Sequence, residues 1–214
     1  MTMSAYNELY LNDAMQNLGD MIQYAVCELK FNPDIFFEWF IASGVASQFE
    51  KGNPKYIAGM SGYELAEEVL KTTNVNYERK EPKYSIDLSK EYWAGWVLAY
   101  YQWETNQRFE DIVYNGLTLS TVISMYILHE ADINKFVESA NEIISRNKMN
   151  RKTKLQQIRK ARGFSQRELS EVSGVTLRMI QLYEQRQNDI SKAQVNIVIR
   201  LAKALGCKVE DLID

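Results

Sequence analysis

Between Leu11 and Leu29 the apolar residues Leu11, Ala14, Met15, Leu18, Met21, Ile22, Ala25 and Leu29 recur every three or four positions. That is the period of an α-helix and not the alternation of a strand. It predicts one long amphipathic helix over residues 4–30. The pattern then restarts. Asn32 can cap, Pro33 suits a first helical position, and Phe36, Phe37, Phe40, Ile41, Val45 and Phe49 carry the stripe to a stop at Gly52. The polar, mixed-charge stretch from Thr72 to Ser89, broken by Pro82, reads as a long connection. Beyond it, "SKEYWAGWVLAYYQWE" places Trp93, Trp96, Val97, Tyr100 and Trp103 on one broad helical face. Shorter helices are expected over 107–114 and 118–129. Asp132 then caps a last one, with Ile133, Phe136, Val137, Ala140, Ile143 and Ile144 as its stripe. No alternating pattern competes, so the fold class is all-α, and this part is expected to hold about six helices.

The chain changes character near residue 150. Residues 1–149 carry 12 Lys and Arg against 21 Asp and Glu, a balance of −9; residues 150–214 carry 13 against 7, a balance of +6. All four tryptophans lie before residue 150, with nearly all the tyrosines and phenylalanines. Such a break predicts two domains with different partners: an acidic, aromatic one over 1–147, a basic linker over 148–152, and a basic domain over 153–214. The basic piece is the candidate for nucleic acid.

Several function classes lose support at this point. The apolar runs are short, well under the ~18–20 residues of a membrane span, so no membrane association is expected. No basic stretch precedes an apolar core at the N-terminus, which argues against a secretory signal. Cys27 and Cys207 lie far apart and make no disulfide framework, which points to a reducing cytoplasm. His129 is the only histidine and falls near a helix end, beside its negative pole. With one histidine and two scattered cysteines, neither a zinc site nor a Ser–His or Cys–His pair can be assembled convincingly. No metal, cofactor or catalytic residue is expected, and the chain is read as a non-enzyme. An aromatic stripe such as Trp93, Trp96 and Trp103 more often belongs to a core, although it could also line a ligand pocket.

The stretch "GNPKYIAGMSG" at 52–62 has the glycines and lysine of a phosphate cradle. However, Lys55 precedes the later glycines, and no strand leads into the segment, so the phosphate-loop pattern is absent. Ser61 and Glu64 have the spacing of a capping box that opens the next helix. The stretch is a joint between helices. If the acidic domain grips an anion or a partner, Lys55, Ser61 and Gly62 are the residues to examine.

In the basic part, a first helix carries Leu155 and Ile158 and ends at Gly163. Ser165 and Glu168 form a second capping box, opening a short helix with Leu169 and Val172 inward and a stop at Gly174. Thr176 caps a third helix with Ile180 and Tyr183 inward. A fourth shows Val195, Ile199, Leu201, Ala202 and Leu205 before Gly206, with Val209 and Leu212 closing the core. Two short helices joined by a tight glycine turn make a helix-turn-helix unit, whose second helix enters the major groove.

These residues closely resemble the Cro/repressor family of helix-turn-helix proteins, also called the XRE family. The likeness runs through R-x-x-x-G-x-S-Q-x-E-L, G-V-T and I-x-x-Y-E to L-A-K-A-L-G. It implies a five-helix, lambda-repressor-like domain that binds double-stranded DNA at a short palindromic operator as a homodimer. Carried over, Gln166 would touch backbone or a base edge, and Thr176 a phosphate. Leu177, Arg178, Gln181 and Leu182 would meet base edges, with Arg178 suited to guanine, Gln181 to adenine and the leucines to thymine methyls. Arg186 is a phosphate candidate, and Arg159 and Glu184 would form a structural ion pair. The chain departs from the usual pattern in carrying Ser170 where relatives have alanine, and in a recognition helix with few polar groups.

The resulting expectation is a cytoplasmic, sequence-specific DNA-binding regulator, read as a repressor. Its acidic domain would bind a partner protein, as in an antitoxin that neutralises a cognate toxin and represses its own operon. The alternative is a regulator whose helical domain binds a small molecule. An enzyme domain tethered to a DNA-binding tail has the least support.

Overall fold

A computed structural model describes residues 4–82 and 89–213. Among these residues the chain is helical throughout, with no strand. It divides into two compact units, Met1–Ser145 and Arg146–Asp214.

The N-terminal unit contains α1 (Leu11–Gln23), α2 (Pro33–Ala42), α3 (Val45–Glu50), α4 (Pro54–Ile57), α5 (Gly62–Thr72), α6 (Lys90–Thr105), α7 (Phe109–Tyr114) and α8 (Leu119–Ser124). The helix α9 (Ile133–Asn150) begins in this unit and carries the chain past the division. The helical segments are more finely divided than the apolar pattern suggested. The long first helix is a 3-10 turn at Glu8–Tyr10, then α1, then a π-helical turn at Tyr24–Glu28. The Phe-rich stripe is broken at Gly44, whose φ of 79° only glycine adopts freely. The joint contains a turn of helix of its own, α4, capped by Asn53. Apolar periodicity runs across such breaks because both pieces bury the same face. Lys148–Asn150, expected in the linker, belong to α9.

Helix α1 is the centre of this unit. Ala14, Leu18, Met21, Ile22 and Ala25 are fully buried. Two other helices meet α1 at glycines. A Cβ added to Gly95 of α6 would lie 2.5 Å from the Leu18 carbonyl oxygen, and one on Gly62 of α5 2.5 Å from that of Asn17. Asn17 in turn donates its side-chain amide to the Ile57 carbonyl at 2.9 Å, which ties α4 to the same helix. Alongside, Phe37, Phe40, Phe49 and Phe109 form a fully buried aromatic cluster with ring centroids 5.4–6.2 Å apart.

Helix α6 differs from its expected reading. Its buried face is Ala94, Gly95, Leu98, Ala99, Tyr101 and Gln102, joined by Val97, while Trp93, Trp96, Tyr100 and Trp103 are half-buried. The helix is apolar nearly all round. Its small residues give the close approach to α1, which displaces the large rings to the flanks.

The C-terminal unit contains α10 (Lys154–Ala161), α11 (Gln166–Ser173), α12 (Leu177–Glu184) and α13 (Val195–Leu205), with 3-10 turns at Ile190–Lys192 and Glu210–Leu212. Its core is Leu155, Leu169, Val175, Ile180, Tyr183, Ile190, Val198, Leu201, Ala202, Leu205 and Leu212. Three residues expected inside are outside: Val172 is 60 % exposed, Val195 71 % and Ile199 38 %. In α11 the inward place goes to Ser173, whose hydroxyl donates to the Leu169 carbonyl and accepts from the Val175 amide. In α13 the stripe is Val198, Leu201, Ala202 and Leu205, which leaves Val195 and Ile199 beyond its edges.

Both capping boxes form as their spacing predicts, at Ser61–Glu64 and Ser165–Glu168. The Ser61 and Ser165 backbone amides hold the Glu64 and Glu168 carboxyls below the usual range. Each cap is therefore complete at neutral pH, and its contribution is lost as the pH falls through those lowered values.

Replacing Gly95 by alanine should push α6 off α1. The expected cost is ~1–3 kcal/mol, typical of an overpacked core. Tryptophan fluorescence reports the N-terminal unit alone, because all four tryptophans lie there. A Gly95→Ala variant should melt several degrees lower by that signal; an unchanged transition would show that the helices can separate freely.

Candidate nucleic-acid interface

The C-terminal unit is organised around a buried carboxylate. Arg159 on α10 grips Glu184, the last residue of α12, with Nε to Oε1 at 2.6 Å and Nη2 to Oε2 at 2.9 Å. Both residues are buried. Nη1 of the same arginine donates to the Phe164 carbonyl at 2.6 Å, and Gln166 at the start of α11 donates its side-chain amide to Glu184 Oε2 at 2.7 Å. Hydrogen bonding to Glu184 raises the arginine's proton affinity above its ordinary value. The Arg159–Glu184 pair takes the place the family resemblance assigned to it. Gln166, expected at DNA, has one amide N–H engaged in this network, which leaves its second N–H and its carbonyl oxygen to offer.

The turn between α11 and α12 is pinned from two sides. Gly174 has φ 65° and ends α11. Arg200 of α13 donates to the Gly174 carbonyl at 3.1 Å, and Ser170 donates to the Val175 carbonyl at 2.7 Å. The Ser170 hydroxyl fixes the turn in a way that an alanine, expected there from the family resemblance, could not. The sequence marks Ser170 only as a departure from the family pattern, and it gives no sign of Arg200. Ser170 looked like a neutral change, and the partner of Arg200 lies 26 residues away.

The turn sets how α12 faces. Ile180, Tyr183 and Glu184 are buried; Leu177 and Arg178 are exposed, and Gln181 and Leu182 are half-buried. The four residues expected at base edges thus share the side away from the core. Thr176 caps the helix through the Met179 amide, and it is exposed. The first-turn amides, which have no intrahelical acceptor, face outward with it. Among the described residues, no ion pair or hydrogen bond holds the Arg178 guanidinium. Arg186, just past the helix, is half-buried in the left-handed region at φ 56°.

Residues 155–212 match the helix-turn-helix family model. No curated protein and no solved structure gives a significant match to the chain. The match supports a DNA-binding transcriptional regulator, since the matched helix-turn-helix family is one of DNA-binding regulators. It leaves the N-terminal unit without a recognised relative.

In that unit the joint residues are occupied by the fold. The Glu64 carboxylate takes the Ser61 amide at 2.8 Å and its hydroxyl at 2.9 Å, so it sits where an anion would bind at the start of α5. Gly62 is buried against α1, and Lys55 lies over the Tyr56 ring, 4.9 Å from its centroid. The expected anion or partner contact finds no cradle here. Among the described residues no group of His, Cys, Asp or Glu is arranged to hold a metal, and no helix is long and apolar enough to cross a membrane.

Removing Glu184 would leave Arg159 charged, buried and unpaired. A Glu184→Ala variant is expected to lose ~3–5 kcal/mol of stability in the helix-turn-helix domain. Far-UV circular dichroism should then show an early loss of helix, while the tryptophan transition of the N-terminal unit stays in place. Coincident early loss of both signals, or of neither, would contradict this account.

Proposed function

We propose that the protein is a sequence-specific transcriptional repressor that binds a roughly palindromic operator as a homodimer, in the cytoplasm. One observation carries this reading: α12 holds Leu177, Arg178, Gln181 and Leu182 on its core-distal side, with its far end fixed by a buried ion pair. In this role Arg178 reads guanine through O6 and N7, and Gln181 reads adenine. The two leucines pack on thymine methyls, while Thr176 and Arg186 meet phosphates. The exposed apolar residues Val172, Val195 and Ile199 favour contact with a second copy. The +6 balance of residues 150–214 supplies attraction to the DNA backbone.

The N-terminal unit is the input domain in this proposal. In the toxin-neutralising version its acidic surface would receive a basic protein. The small-molecule version gains from a specific feature, a cleft beside α6 lined mainly by aromatic side chains. No catalytic step is assigned to either unit.

A gel shift on the DNA upstream of its own gene tests the reading. Arg178→Ala should weaken binding by ~1–3 kcal/mol and relax preference at one base pair of each half-site. Wild-type affinity should fall steeply with salt. Equal binding by both proteins, without salt dependence, would sink the groove-reading role.

A further inference from the structure

The cleft beside α6 encloses about 550 Å³. Its walls include Tyr92, Trp93 and Trp96 of α6, Tyr126 and His129 of the 3-10 turn Tyr126–Glu130, and Phe136 of α9. Trp93 meets Tyr126 and Phe136 edge-to-face, each at 5.7 Å, whereas Tyr126 and His129 stack in parallel at 4.1 Å. The remaining described lining is aliphatic except for the amide of Gln16, and among the described residues it contains no lysine, arginine, aspartate or glutamate.

The polar atoms of these rings separate them from the structural aromatics of the same unit. Trp103 donates its indole N–H to the Tyr6 carbonyl at 2.8 Å. Tyr101 donates to Asn141 Oδ1 at 2.7 Å, and Tyr24 to the Lys80 carbonyl at 2.8 Å. Among the described residues, the indole N–H groups of Trp93 and Trp96 and the hydroxyl of Tyr126 make no hydrogen bond. All three atoms are open to solvent and not buried without a partner, so they remain free to meet a bound molecule. Here two tryptophans line an open cleft half-buried, with their donors unused by the fold.

Charge selects the occupant. Residues 1–149 carry −9. The Glu130 carboxylate stands 3.9 Å from His129 Nε2. The start of α9, beside lining residue Ile133, has its Asn134 amide already taken by Asp132 Oδ1 at 2.8 Å. Among the described lining residues an anion would find no lysine or arginine. A cation would find aromatic faces, whose quadrupole attracts it. The geometry points to a binding site for a flat, largely apolar organic cation, a positively charged heteroaromatic of two or three fused rings. Its role as the input of the regulator rests on the reading proposed above.

Isothermal titration of the full-length protein with 1-methylquinolinium, uncharged quinoline and naphthalene-2-sulfonate tests the site without DNA. The cation should bind saturably at one site, quinoline roughly tenfold more weakly, and the sulfonate not at all. Trp96→Leu should weaken the cation at least tenfold, whereas Trp103→Phe, outside the cleft, should leave its affinity unchanged. Circular dichroism would confirm that both variants fold. Absence of saturable cation binding, equal or tighter binding of quinoline or sulfonate, or full affinity in folded Trp96→Leu would overturn the inference. Adding 1-methylquinolinium to the gel shift separates the two readings. Cation binding with unchanged DNA affinity upholds the site and removes only its input role.

Discussion

Three segments of the C-terminal unit converge on one carboxylate. Glu184 ends α12, Arg159 reaches it from α10, and Gln166 from the first turn of α11. The third arm of Arg159 holds the Phe164 carbonyl in the loop between the last two. A buried pair of charges is costly to desolvate and repays little net stability. Its use here is geometric. A bidentate guanidinium admits one orientation of the carboxylate, so it fixes the end of α12 relative to the other two helices. An apolar pair of the same volume could slide, and the positions of Arg178 and Gln181 would slide with it.

The other end of α12 is fixed differently, through carbonyls of the turn. Gly174 and Val175 each present an oxygen that a side chain takes, Arg200 for one and Ser170 for the other. With the ion pair at one end and the turn held at the other, the helix has little freedom to rock. This suits the recognition role proposed for α12, a helix with few polar groups whose placement would have to compensate for a short list of base contacts.

Much of this was legible in sequence because the signals are local. Ser61, Ser165, Thr176 and Asn32 cap where their spacing says they should, since a cap and its amide partner lie within three residues of each other. The inward faces of short helices were less legible. In an eight-residue helix, Val172 and Ser173 compete for one buried place, and polarity alone favoured the valine. The serine won because its hydroxyl is satisfied inside by the turn. The packing role of Gly62 and Gly95 was not legible, because the backbone each approaches lies 45 and 77 positions earlier, at Asn17 and Leu18. The joint at 52–62 shows both sides of this. Its capping box was readable, while its reason for glycine was hidden in α1.

The aromatic helix α6 shows why residue type alone cannot separate core from site. Trp93, Trp96 and Trp103 share a helix and a degree of burial, and periodicity treats them alike. Their difference lies in where the indole N–H goes. Trp103 anchors the chain at Tyr6 and is thereby used by the fold. Trp93 and Trp96 sit where the close approach of Gly95 to α1 has pushed the large side chains outward, against a turn and a helix from 30 to 40 residues later. Burial and periodicity leave the three indoles alike, and only the long-range hydrogen bond of Trp103 to the Tyr6 carbonyl sets one of them apart as an anchor of the fold.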